Sequence, residues 1–226
     1  MKKLPLFKYI FPLLAVPMAV ALGALLFRGK AYIFISVCIA LLACVPFFMS
    51  FEKGRTRTKN LVVLATMLTL SIVGRFAFAF LPHFKPVTAI VVITGIYLGA
   101  ENGFLCGALS ALLSNFIFGQ GPWTPFQMFA WGLIGLLAAA LSKPLKKSRI
   151  ALSVYGAFSG VMYSLLLDVF ATLWHDGAFN PSRYIALTVS ALPVTAVYAA
   201  SNVIFLLLLA KPIGEKLERI KIKYGL

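Results

Sequence analysis

Long apolar runs separated by short polar gaps organise this chain. Eight runs can be marked, at 7–27, 31–51, 60–81, 86–100, 103–118, 126–142, 150–174 and 184–210. Crossing a hydrocarbon core about 30 Å thick takes about 20 apolar residues in a helix. Most of the runs therefore predict membrane-spanning helices, because a helix satisfies its own backbone hydrogen bonds in lipid. The runs at 86–100 and 103–118 are short for that task. They are expected to tilt, or to end inside the protein beside a cavity. The fold class that follows is an all-α integral membrane protein.

The sharpest hydrophilic break in the first third is Glu52-Lys-Gly-Arg-Thr-Arg-Thr-Lys59. It divides a two-helix N-terminal transmembrane appendage (1–57) from a six-helix membrane core (58–212). After Pro212, the residues Ile213, Leu217 and Ile220 recur at helical spacing among Lys and Glu. That pattern predicts a cytoplasmic amphipathic tail over 213–226, or simply a solvated end. Ala19-Val20-Ala21 resembles a signal-peptidase site, but the apolar run continues to Phe27 and a second run follows, which favours a retained helix.

Composition agrees with this reading: 61% of residues are hydrophobic and 12% charged, against about 25% charged in soluble domains. The net charge of +15 does not indicate nucleic acid, because the cations sit in the gaps between apolar runs. With the N-terminus inside, the inner segments carry sixteen Lys and Arg and the outer loops four, namely Arg28, Lys30, Lys85 and Arg183. The positive-inside rule then puts both termini in the cytoplasm of a multi-pass protein. The loops at 82–85, 119–125 and 175–183 face outward.

The chain carries no catalytic signature. Cys38, Cys44 and Cys106 fall inside apolar runs, His83 and His175 lie in loops, and no HExxH, GxSxG or phosphate-binding glycine loop occurs. No metal site, cofactor or enzymatic activity is expected. Glycines and alanines recur at four-residue spacing (Gly95/Gly99, Gly103/Gly107/Ala111, Gly156/Gly160, Ala196/Ala200). In lipid such faces let helices approach closely, mostly as internal packing.

Chemistry is concentrated toward the outer side. Arg75 and Asp168 lie within spans, each seven residues before the outer loop, or about 10 Å below the surface. Burying either charge is costly, so the two are expected to approach each other or to share one outward-facing pocket. Replacing either by Ala should weaken ligand binding. Asn115, Gln120, Thr124, Gln127 and Asn202 add uncharged hydrogen-bonding groups, and Phe80, Trp123, Trp131 and Trp174 are among the outer aromatics. A mostly apolar pocket with a few orienting polar groups suits a small, ring-containing solute. The other reading that these features leave open is a stand-alone secondary transporter or channel for a small organic solute.

Two stretches carry a resemblance. They are Val73-Gly74-Arg75-Phe76-Ala77-Phe78 with Leu81-Pro82-His83-Phe84-Lys85-Pro86, and Gly119-Gln120-Gly121-Pro122-Trp123-Thr124-Pro125-Phe126-Gln127-Met128. Their order resembles the substrate-binding (S) component of an energy-coupling factor (ECF) transporter, a prokaryotic vitamin importer, over about 58–210. The resemblance implies a vitamin pocket near the outer surface of the cell membrane, with His83 and Lys85 joining the residues above. It implies as partners a membrane coupling protein and two cytoplasmic ATPases, with release of substrate inward by toppling. The family's small-residue docking face would fall on Ala65 and Thr69, where Thr replaces the usual Ala. Among such proteins the cobalamin type is the nearest suggestion, with thiamine precursors, pyridoxine-like compounds or a queuosine precursor left open.

Overall fold

The structure, a computed structural model, describes residues 57–225. The two N-terminal runs and the Ala19-Val20-Ala21 site lie outside the described residues. Within them the fold is all-helical: α1 (Arg57–Ala77), α2 (Val87–Leu98), α3 (Ala100–Phe118), α4 (Thr124–Ala140), the single-turn α5 (Ser142–Lys147), α6 (Arg149–Asp176) and α7 (Pro181–Tyr224). Each long helix matches one of the six apolar runs after residue 57. Helices α1, α6 and α7 are long and apolar enough to cross a membrane, and α2 and α4 are shorter apolar helices.

Helix α2 is the centre of the bundle. Every residue from Val87 to Ile96 is buried, and α1, α3, α4 and α7 all pack on it. A helix apolar on every side has no face to offer water and belongs in such a position. Its twelve residues span only about 18 Å, too little to cross a bilayer. It stops short beneath the loop 78–86, and the space above its first turn is open.

The close packing around α2 is backbone on backbone. A Cβ added at Gly135 of α4 would lie 2.2 Å from the Gly103 carbonyl oxygen of α3, and one at Gly95 of α2 would lie 2.1 Å from the Gly135 oxygen. Gly107 meets the Trp131 backbone in the same way, at 2.3 Å. On the other side of the bundle Gly160 of α6 abuts Ala199 of α7, with a Cβ only 2.6 Å from its nitrogen. The glycine spacing read from the sequence thus serves internal helix crossings.

Helix α7 runs well past the end of its apolar run. Its 44 residues reach about 66 Å, and the segment after Pro212 continues the same helix. A proline inside a helix removes one backbone hydrogen bond, and the packing of neighbouring elements lets the helix carry on. Gly214 lies directly against the Tyr97 ring, Leu217 is buried, and Lys221 Nζ donates to the Tyr97 carbonyl at 2.9 Å. The tail is therefore a packed helical extension against the far ends of α1 and α2.

Adding one methyl group at the α3–α4 crossing should separate the two helices. Gly103→Ala is expected to cost about 1–3 kcal/mol, the usual range for overpacking, and to lower the thermal unfolding midpoint in detergent. An unchanged midpoint would mean that the crossing can relax.

Candidate functional site

The loop 78–86 is fixed by contacts to α7. The Lys85 backbone N–H donates to Ser201 Oγ at 2.9 Å, and the same hydroxyl donates back to the Lys85 carbonyl at 3.1 Å. Phe78 and Phe84 pack on Phe205 at centroid distances of 5.0 and 5.1 Å. His83 sits at φ 60°, a left-handed conformation uncommon outside glycine. It places Nδ1 3.0 Å from the Tyr198 hydroxyl.

Beneath this loop lies a partly open cavity of about 260 Å³. Pro82, His83 and Lys85 of the loop, Val87 and Thr88 of α2, and Arg75, Gln127, Trp131, Gly160, Tyr163, Tyr198 and Asn202 of the surrounding helices line it. Gln127 and Trp131 are four residues apart on α4, as are Tyr198 and Asn202 on α7, so each pair shares a helical face. The Trp131 and Tyr163 rings stack at 5.2 Å and 16°, and Tyr198 meets Tyr163 edge-on.

A chain of hydrogen bonds sets the polar side of the cavity. Arg75 Nη1 donates to Ser114 Oγ and, at 2.9 Å, to Asn115 Oδ1. Asn115 Nδ2 donates in turn to Thr124 Oγ1 at 3.0 Å and to Gln127 Oε1 at 2.8 Å. Gln127 Nε2 then donates to the Tyr163 hydroxyl at 2.7 Å. The arginine fixes the orientation of both amides, since each oxygen must face a donor. Its guanidinium also lies 4.6 Å from the Phe118 ring centre and 5.3 Å from that of Trp131, which are cation–π distances.

Among the described residues no carboxylate lines the cavity. Arg75 is held, again among the described residues, by neutral groups and ring faces, and Lys85 Nζ stands 5.0 Å from the Phe118 ring centre. Partial burial, and secondarily the charge of Arg75, hold the Lys85 ammonium pKa below its ordinary value. The cavity is electropositive and rich in donors.

The twelve residues expected from the sequence fall in different places. Arg75, His83, Lys85, Gln127 and Trp131 line the cavity, and Asn115 and Thr124 stand behind it in the hydrogen-bond chain. Gln120 works locally: it accepts from Thr124 Oγ1 at 3.0 Å and donates to the Leu112 carbonyl at 2.8 Å, closing the turn before α4. Trp123 lays its ring on Gly121 and seats the same turn. Phe80 and Trp174 are exposed and stack on Phe78 and Phe170.

Arg75 and Asp168 do not meet. No ion pair joins them among the described residues, and Asp168 accepts instead from Thr188 Oγ1 at 3.3 Å and does not line the cavity. Equal depth on two helices says nothing about which way each side chain faces. Residues missing from the sequence reading of the site are Thr88, Tyr163 and Tyr198. The available signal was a tyrosine three or four residues from a small or amide residue on an apolar helix (Gly160/Tyr163, Tyr198/Asn202), which otherwise reads as an interfacial ring.

A comparison with protein families places residues 55–219 in the family described as ECF-type riboflavin transporter, S component. The chain belongs to that family. Searches of curated proteins and of solved structures each return no match. This S component is a substrate-binding subunit of an ECF transporter, embedded in the membrane, and not an enzyme.

Tyr163→Phe removes the acceptor of the Gln127 amide in a buried chain. The S component is expected to lose about 1–3 kcal/mol of stability, the penalty of an unmet buried donor, in thermal unfolding. Gln127→Leu with Tyr163→Phe should restore part of that loss.

Proposed function

We propose that this S component binds a flavin-type vitamin in the cavity beneath the 78–86 loop. The observation that carries the reading is the pairing of a stacked ring wall with donors and no carboxylate. An isoalloxazine is flat, and its pyrimidine-dione edge presents acceptors that suit Arg75 and the remaining N–H of Gln127. The family description names riboflavin, which supports the same substrate.

The volume supports it as well. About 260 Å³ lies just below the range of about 300–1,000 Å³ usual for small organic ligands, and the cavity is partly open. A fused tricyclic ring can enter with its side chain toward the opening, whereas a corrinoid macrocycle is several times too large. Riboflavin therefore replaces cobalamin as the favoured vitamin. Within the proposed site Trp131 and Tyr163 provide the ring wall, Arg75 and Gln127 orient the ligand, and His83 and Lys85 stand at the opening.

The rest of the proposal concerns transport. Both termini face the cytoplasm, the cavity opens outward in a prokaryotic cell membrane, and a coupling protein with two ATPases supplies the energy for inward release. Ala65 and Thr69 lie on an exposed face of α1, which supports a role as the small-residue surface that docks on the coupling protein.

Quenching of flavin fluorescence by the purified S component tests the substrate. Saturable binding of riboflavin and none of cobalamin is the expected result; the opposite preference would sink the proposal. Arg75→Gln should weaken riboflavin binding about 10- to 100-fold, the equivalent of one charged hydrogen bond. Asp168→Asn, outside the cavity lining, should change it less than Arg75→Gln does.

A further inference from the structure

At the end of the bundle opposite the cavity, α5 separates two hollows that vitamin binding does not use. On one side is a pocket of about 340 Å³ among α2, α5, α6 and α7. Lys146, Lys147, Arg149 and Lys211 line it, against Glu215 and Glu218. Lys146 is held by Glu218 at 2.9 Å, while Lys147, Arg149 and Lys211 form no ion pair with any described residue. Four cations face two carboxylates there, so the hollow keeps a net positive charge that an entering anion offsets.

On the other side of α5 is a groove of about 510 Å³ between α4 and α6. Its walls are almost wholly apolar, from Leu137 and Leu141 to Val154 and Phe158. Val154 and Phe158 are exposed on a helix apolar enough to cross a membrane, so the medium that fills this groove is hydrocarbon. The buried Leu145 belongs to both hollows, which places the cationic pocket beside one end of the apolar groove.

We propose that the two hollows together bind one anionic glycerophospholipid, its phosphate among Lys147, Arg149 and Lys211 and an acyl chain in the α4–α6 groove. Basic pockets between membrane helices take such headgroups, and a guanidinium matches phosphate oxygens two at a time. The pocket also includes the first turn of α6, where Ser148 Oγ caps the Ala151 N–H at 3.2 Å and the positive end of the helix dipole favours an anion. The bound lipid bridges α4, α5, α6 and α7.

The test uses the full chain in a neutral, phosphate-free detergent, given dioleoyl phosphatidylglycerol or dioleoyl phosphatidylcholine. Native mass spectrometry reads lipid retention and thermal unfolding reads stabilisation. Phosphatidylglycerol should be retained about tenfold more than phosphatidylcholine, with retention falling about fivefold for each of Lys147→Gln, Arg149→Gln and Lys211→Gln. Val154→Trp, which fills the groove and leaves every cation in place, should also lose the lipid. Equal retention of the two lipids, or a triple Gln variant that retains lipid like the parent, overturns the proposal. So does glycerol phosphate stabilising as well as the lipid with Val154→Trp indifferent, since that outcome identifies a site for free phosphate. Riboflavin binding by each variant reports folding separately, so failure of the lipid site leaves the vitamin site standing.

Discussion

The cavity depends on how closely α2, α3 and α4 can approach one another. Hydrocarbon offers no hydrophobic drive between helices, so their association rests on packing and on hydrogen bonds. Gly95, Gly103 and Gly135 remove the side chains that would hold the three axes apart, and backbone then meets backbone. A tight trio of this kind can bury α2 completely although it is too short to span. Its first turn ends below the surface, and loop 78–86, tied to α7 through Ser201, covers the space that remains.

Within that space Arg75 sets the electrostatics. A buried guanidinium paired with a carboxylate would leave a neutral site. Here Ser114, Asn115 and two ring faces hold it, so its charge remains available to whatever enters. The same contacts orient Asn115, and through it Gln127 and Tyr163, so one cation sets the direction of the whole hydrogen-bond chain. Rings supply the remaining wall, and a site of fixed donors over stacked aromatics favours flat molecules rich in acceptors.

Much of the fold was legible in the order of residues. Six apolar runs after residue 57 became six long helices, and the short run at 86–100 became the buried α2 that ends beside a cavity. In the stretch from Gly119 to Met128, Gln120 and Trp123 close the turn, and Thr124 and Gln127 join the hydrogen-bond chain that begins at Arg75. The helical spacing after Pro212 is met by a helix that continues α7 without a break, while the packing of that segment could not be read from the spacing. The Tyr97–Gly214 contact is tertiary.

What the sequence determined by itself is therefore what lipid imposes on any chain: helices where apolar residues run long, glycines where helices must touch, and cations gathered at one side. Those constraints act residue by residue and survive without knowledge of neighbours. Only the tertiary structure decided which polar side chains share a cavity. Arg75 and Asp168 sit at comparable depth in sequence, yet helix rotation turns one toward Asn115 and the other toward Thr188. Rotation about a helix axis is set by the packing of all its neighbours at once, and no single helix records it.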